Sequence, residues 1–348
     1  MTSFAKKEDF QRVYKEKEVS LYTLKNDKLT VNVTNYGCRI VDILVPKGDK
    51  LVNVITGYRT FDGFISTDNY MGAIVGRYAN RIDRGKLVVE NKEYQLPTNN
   101  GINTLHGGLE GYDRRVFTVI SHNETEIKFE LIDNDGMNNY PGTVTVTITY
   151  KLYQNDFQMY FEATTDKTTV VNISNHAYLN LNGNSTIYNH SVQINANHYL
   201  PVTKDLIPTG VLQPVENTPF DFRNPKCVGK EINEQDEQLL IAKGYDHNFC
   251  LNPIEERKKY EGVEDGKKQS HEVATIIGDE SNVKMIIYST QPGVQFYTFN
   301  FDLEGFELRS AYCLETQNYP DSPNQHHFPS PFITKDEKYE EHLIYHFE

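Results

Sequence analysis

The 348-residue chain contains no tryptophan and only four cysteines, Cys38, Cys227, Cys250 and Cys313. These are widely scattered, with no Cys-x-x-Cys and no Cys/His spacing of a structural zinc site. Reduced thiols, as in a cytoplasmic protein, are the simplest expectation. Positive charge is in short supply: 35 Lys and Arg against 48 Asp and Glu give a net charge of −13. Such a field repels nucleic acid and anionic lipid, and it disfavours a strongly anionic substrate. No run approaches the ~18 apolar residues of a membrane span. The first ten residues, Met1 to Phe10, hold no apolar core of signal-peptide length. A cytoplasmic protein with neither nucleic-acid nor membrane partners is therefore expected. The chain has no Gly-x-Gly-x-x-Gly and no Walker sequence, so no nucleotide cofactor is expected. Fixed-period repeats and long helical patterns are missing too.

What is present is tyrosine (23), phenylalanine (18) and period-two alternation. Alternating stretches predict strands over 29–33, 39–45 (stopped by Pro46), 117–120, 126–131, 143–153, 157–163, 191–194, 283–289, 294–300 and 343–347. His122-Asn123-Glu124 and Gln154-Asn155-Asp156 read as hairpin turns. The one helical candidate is short, over 236–242. Residues 201–230 read as a long loop, and the highly charged stretch 255–272 as a solvated surface insertion. Neither reads as a linker, because alternation resumes with similar composition on both sides. Many short strands with turns between them predict an all-β sandwich or barrel, in one domain over 1–348.

Several short segments offer chemistry. Asn175-His176-Ala177 puts an imidazole in an apolar run, where a hydrogen-bonded core histidine is the plain alternative. Cys313-Leu314-Glu315 puts a carboxylate in a similar run. Burial there is costly unless the group is paired or functional, and it raises the pKa toward that of a useful base. His106 precedes Gly107-Gly108, whose missing side chains allow backbone to approach a ligand. Asn80 lies between Arg77 and Arg81, and guanidinium forks suit carboxylates, phosphates and sugar hydroxyls. Asp246 and His247 lie in a polar turn. His326-His327 alternate across an extended chain, so chelation of a metal by both is not expected.

Order and wording together carry more. Asn35-Tyr36-Gly37, Gly-Arg-Tyr-Ala-Asn-Arg-Ile (76–82), Leu-His-Gly-Gly (105–108), Ser-Asn-His-Ala-Tyr-Leu (174–179), Gly-Tyr-Asp-His-Asn-Phe (244–249), Gln-Pro-Gly-Val-Gln (291–295) and Leu-Glu-Thr-Gln-Asn-Tyr-Pro (314–320) occur in sequence. The chain resembles the aldose 1-epimerase (galactose mutarotase) family over nearly its whole length. The resemblance implies a large antiparallel sandwich with a small-molecule aldohexose in an open cleft, no cofactor and no metal. It implies Glu315 as general base and His176 as general acid. His106 would contact the sugar near its reacting end, Arg81 and Asp246 would bind ring hydroxyls, and Asn80 and Gln291 would be further contacts. A monomer or a homodimer fits equally.

The chemistry suits those residue types. Anomers interconvert when a base takes the C1 hydroxyl proton while an acid protonates the ring oxygen, and a histidine titrates in the right range. Three departures from the family pattern bear on cleft shape: Cys38 after Asn-Tyr-Gly, Tyr319 where Trp is frequent, and Phe299-Asn300-Phe301-Asp302 in place of a glycine-rich stretch. Competing readings are a hexose-6-phosphate 1-epimerase, which needs a basic cluster not evident here, and a non-catalytic sugar-binding sandwich. A glycoside hydrolase would need two suitably spaced carboxylates.

Overall fold

Alternation along single strands decides the architecture. In Val144–Tyr153 the side chains of Val144, Val146, Ile148, Tyr150 and Leu152 are buried, while Thr145, Thr147, Thr149 and Lys151 are half exposed. Each fully buried apolar side chain of this kind contributes roughly 1.5–3 kcal/mol. The computed structural model describes residues 4–67, 69–183, 185–264 and 266–348. Parts of the N-terminal stretch (residues 1–3) and of the charged insertion (Asp265) lie outside that set.

Nine antiparallel strands form the larger sheet, in the order Thr118–His122, Glu126–Asp133, Val144–Tyr153, Asp156–Thr165, Tyr339–Phe347, Lys284–Ser289, His271–Ile277, Ser191–Ile194 and Lys226–Cys227. A five-stranded sheet runs Gln213–Pro214, Ala196–Tyr199, Asp246–Leu251, Gly293–Tyr297 and Cys313–Gln317. A four-stranded sheet is made of Leu21–Lys25, Thr30–Thr34, Ile40–Lys47 and Lys50–Asn53. One cluster of buried apolar side chains, from Leu24 to Phe347, draws on all three. The all-β architecture expected from the alternation, and the sandwich implied by the resemblance, are what the chain forms. Among the described residues no helix is long and apolar enough to cross a membrane.

The helix at Glu237–Ala242 starts where Asp236 Oδ1 accepts the Gln238 and Leu239 N–H groups, at 2.8 and 3.2 Å. It ends at Lys243, with φ of 58°. Three expectations need correction. Pro46 does not stop its strand, which continues to Lys47. Pairing with the strand on one side ends at Thr30–Leu44, so the missing N–H of Pro46 falls beyond that ladder. The strand expected over 294–300 ends at Tyr297, because Phe299 takes a φ of 50° that extended chain does not adopt. The charged insertion is not simply solvated. Its Tyr260 is buried with Ile286, Tyr288 and Ile344, and accepts from Gln158 Nε2 at 2.8 Å.

Arg77 is 1% exposed. Its Nε lies 2.8 Å from Asp133 Oδ2, and its Nη1 donates to Pro141 O at 2.8 Å. The pair anchors segment 76–82 to the large sheet. Asp133→Ala, which leaves that guanidinium buried and unpaired, should cost about 3–5 kcal/mol in urea unfolding.

Candidate active site

Register across the five-stranded sheet builds one wall of a cleft. Asp246 pairs with Tyr297 and Tyr297 with Cys313; one step along, Asn248 pairs with Gln295 and Gln295 with Glu315. Opposed residues and those two apart share a face. So Asp246, Asn248, Gln295, Tyr297, Cys313 and Glu315 all point one way. The intervening Phe249, Val294, Phe296 and Leu314 point into the core. Gln295 Nε2 donates to Asp246 Oδ1 at 2.7 Å.

The opposite wall comes from two short pairings. Ser174–Asn175 pairs with Ile74–Val75, and the His176 N–H then donates to Ala73 O at 2.8 Å. Ser174 Oγ donates to Thr316 O at 2.8 Å, tying this segment to the Glu315 strand. Arg81–Ile82 pairs with Thr104–Leu105. Beyond that pairing the chain crosses over: the His106 N–H donates to Asn80 O, and the Asn80 N–H donates to His106 Nδ1, each at 3.1 Å. Gly107 follows, with φ of 93°, and a Cβ there would sit 2.0 Å from Gly76 O. Only glycine fits this crossover.

These walls enclose a cleft of about 230 Å³ lined by Asn69, Tyr70, Asn80, Arg81, Asn100, Leu105, His106, His176, Tyr178, Asp246, Tyr297, Phe301 and Glu315. Two roomier hollows, about 540 and 400 Å³, lie on the outer surface around Gln154 and His346. Neither gathers a comparable set of acid, base and fork. Six of the seven residues singled out from the sequence line the one cleft. At its floor, His176 Nε2 lies 3.5 Å from Glu315 Oε1. Tyr70 and Tyr178 stack on the His176 ring at centroid distances of 5.7 and 5.0 Å and fix its plane. Arg81 Nη2 is 4.0 Å from Asp246 Oδ2, and its Nε donates to Asn100 Oδ1 at 3.0 Å.

The seventh, Gln291, does not line the cleft. It precedes its strand and donates from Nε2 to Tyr339 Oη at 3.0 Å. Gln295, at the other end of the same motif, is the glutamine on the cleft wall. The sequence reading also passed over Tyr70, Asn69, Asn100, Tyr178 and Tyr297. Tyr178 was within sight, two residues from His176 in an alternating motif. Tyr70 and Asn69 belong to an irregular segment with no local pattern. Of the three departures, only Phe301 lines the cleft. Tyr319 packs on Phe328, and Cys38 lies in the core.

Burial drives the electrostatics. It pushes the Glu315 carboxyl well above the usual carboxylate range, Asp246 adding to the rise and Arg81 opposing it. It pulls His176 down to about 3, with Arg39 adding to the fall and the residue's own carbonyl opposing it. His106 falls well below its ordinary value through burial, then through His176 and Arg81. Glu315 Oε2 has no hydrogen-bond partner among the described residues. Ligand atoms of His106, His176 and Glu315 lie within 4.8 Å of one another, the spacing of a metal trio. Yet His106 Nδ1 accepts from Asn80, so the neutral ring carries its proton on Nε2. That ring offers the cleft a donor, and a cation needs a lone pair.

A family model described as aldose 1-epimerase matches residues 20–346. The chain belongs to the aldose 1-epimerase family. It is 39% identical to galactose mutarotase of Rattus norvegicus over 334 residues, 92% of each chain. It is 33% identical to aldose 1-epimerase of Escherichia coli (strain K12) over 340 residues, 94% of each. Among solved structures, a galactose 1-epimerase from Lactobacillus acidophilus NCFM superposes with a TM-score of 0.84 at 27% identity, covering 97% of both chains. An aldose epimerase homologue from C. elegans gives 0.84 at 25% identity, over 95% of this chain and 99% of that one. The fold implied by family resemblance and the fold formed by this aldose 1-epimerase family member are the same.

Glu315 carries a stability signature. Its folded pKa is raised, so its protonation stabilises the fold below the ordinary carboxylate pKa, and that contribution is lost as pH rises through the folded value. Glu315→Gln has no such loss. Thermal melts should show Glu315→Gln gaining on the wild type as pH rises above the ordinary carboxylate range.

Proposed function

We propose that the chain is an aldose 1-epimerase that interconverts the α and β anomers of aldohexoses such as D-galactose and D-glucose. The observation that carries this reading is the His176–Glu315 pair at the floor of a sugar-sized cleft ringed by His106, Arg81 and Asp246. Glu315 acts as base and takes the proton of the C1 hydroxyl. The C1–ring oxygen bond breaks as C1 becomes an aldehyde carbon, and the bond's electron pair goes to the ring oxygen, which takes a proton from His176. Rotation about C1–C2 turns the other face of the aldehyde to the hydroxyl. Reclosure returns both protons and leaves the enzyme unchanged.

The protein holds one proton on the pair throughout. It starts as carboxylate and imidazolium and passes through carboxyl and neutral imidazole in the ring-open state. Burial favours the second arrangement, so ring opening moves the protein toward its preferred charge state. His106 donates from Nε2 to an oxygen near the reacting end, Arg81 and Asp246 hold ring hydroxyls, and Asn80 orients His106. Phe301, half exposed at the rim, offers a face for the sugar's C–H groups. Arg81 is the one cation among the described lining residues, which supports a neutral sugar over a phosphorylated one. A single-domain protein working in the cytoplasm as monomer or homodimer fits the continuous core and the acidic surface.

Polarimetry of freshly dissolved α-D-glucose and α-D-galactose tests the proposal: catalytic protein should hasten decay to the same final rotation, and unchanged decay with folded protein would refute it. Glu315→Gln and His176→Asn should each lower kcat by about 10²–10⁴-fold. Gln295→Ala should reduce kcat/KM about tenfold, the size of one lost hydrogen bond to a charged group, while Gln291→Ala stays near wild type. The pH profile follows from the one-proton requirement. A second proton adds to His176 on the acid side, toward about 3. Glu315 ionises on the alkaline side, above the carboxylate range. Activity should therefore be flat between the two limbs, which belong to the pair as a unit.

A further inference from the structure

The sheet face that carries Glu315 continues past the cleft. Gln317 lies two residues on from Glu315, on the same strand and the same face, and its register partner is Gly293. Gln317 is fully buried, and neither polar atom of its side chain has a hydrogen-bond partner among the described residues. Glu315 Oε2, Gln295 Oε1 and Asn248 Oδ1, on the same face, share that condition. The amide nitrogens beside two of these oxygens are committed: Gln295 Nε2 donates to Asp246 Oδ1 at 2.7 Å and Asn248 Nδ2 to Phe249 O at 3.3 Å. Gln317 Nε2 is therefore the donor in a set made up otherwise of acceptors. Gly293 makes room among them. A Cβ at that position would meet Asn248 Oδ1 at 2.8 Å and the Tyr319 ring at 3.0 Å. Tyr319, itself buried against Phe328, covers this side.

We propose that Gln317 is a positioning residue that acts through a bound water: the water accepts from Gln317 Nε2, donates to Glu315 Oε2, and so holds the carboxylate with Oε1 toward the sugar. This rests on the reading of Glu315 as the base. Buried polar atoms are paired almost without exception, and a buried water makes about three hydrogen bonds. A water brings two hydrogens to a set short of donors. One goes to Glu315 Oε2 and the other to Gln295 Oε1, which stands opposite Glu315 in the register. The two oxygens of the base then divide the work. Oε1, 3.5 Å from His176 Nε2, exchanges the proton with the C1 hydroxyl, while Oε2 is held from behind. When Glu315 becomes a carboxyl group, Oε2 is its carbonyl oxygen and still accepts. The same water thus keeps the base in one orientation through ring opening and reclosure.

A crystal structure of the sugar-free wild type, at a resolution that shows ordered water, reads the site without turnover. It should place a water about 2.7–3.2 Å from both Glu315 Oε2 and the Gln317 amide. Gln317→Met keeps the length of the side chain and removes both polar atoms. It should lose that water and lower kcat about tenfold with KM little changed. It should also move the alkaline limb of the pH profile upward, because a carboxylate deprived of a donor is harder to form. Asp246, Arg81, His176, His106 and Cys313, the charged and titratable groups around Glu315, are the same in this variant, so the limb reports the lost donor. A wild-type structure without a water at that place overturns the proposal, as does a Gln317→Met variant with normal kcat. A fall in kcat with the limb unshifted or lowered also overturns it, because that marks a packing role. If Glu315→Gln keeps near-normal kcat while the water is found in place, the failure lies with the assigned base and not with the water.

Discussion

Side-chain alternation across three neighbouring strands is the constraint on which this molecule depends. Phe249, Phe296, Val294 and Leu314 must face the core for the five-stranded sheet to pack against the larger one. Their burial fixes the register, because a one-residue slip would turn each of them to the opposite face. The same register therefore has no freedom in where it puts Asp246, Gln295, Cys313 and Glu315. The polar face of the sheet becomes a cleft wall because apolar packing on the other side leaves it no alternative. The site's precision is thus supplied by the hydrophobic core and not by contacts within the site.

The cost of that arrangement sits on the Glu315 strand and its neighbour. Glu315 Oε2, Gln295 Oε1, Thr316 Oγ1 and both polar atoms of the Gln317 side chain are buried without a hydrogen-bond partner among the described residues. Each such atom costs about 1–3 kcal/mol. A carboxyl and an imidazole taken from water both move toward their neutral forms. For Glu315 that shift lowers the stability of the apo fold as pH rises above the ordinary carboxylate range. The Tyr70–His176–Tyr178 stack keeps the ring from relaxing out of this position.

The sheet architecture was legible because burial on one face writes a period of two into the sequence, as in Val144–Tyr153. The errors are local and have local causes. Pro46 reads as a stop only if its N–H is needed, and neighbouring strands of unequal length decide that. The insertion 255–272 reads as solvated because its charges dominate the composition, yet Tyr260 packs on the sheet and Lys267 pairs with Glu162 and Glu340. At the site, the residues found all lie inside the short motifs, whereas Asn69, Tyr70, Asn100 and Tyr297 lie outside them. Tyr70 and Asn69 reach the cleft through tertiary geometry that no spacing encodes. Gln291 and Gln295 are equally plausible in the motif Gln-Pro-Gly-Val-Gln, and only the point at which the strand begins separates them.

What lies behind each imidazole decides between a proton relay and a metal site. In a zinc site the ligating histidine donates its second N–H to a carboxylate or carbonyl, which leaves a lone pair for the ion. Here the second nitrogen of His106 accepts instead, from the Asn80 N–H, and Cys313 Sγ stands at the corresponding nitrogen of His176. The trio of two histidines and a glutamate has metal-like spacing but inverted polarity, with an N–H on His106 aimed where a cation would sit. Arg81 adds a positive charge to the same wall. A hemiacetal, with oxygens that accept and hydroxyls that donate, matches this polarity where a divalent ion does not. The distinction comes from partners one layer removed from the cleft, and the residue types lining it do not express it alone.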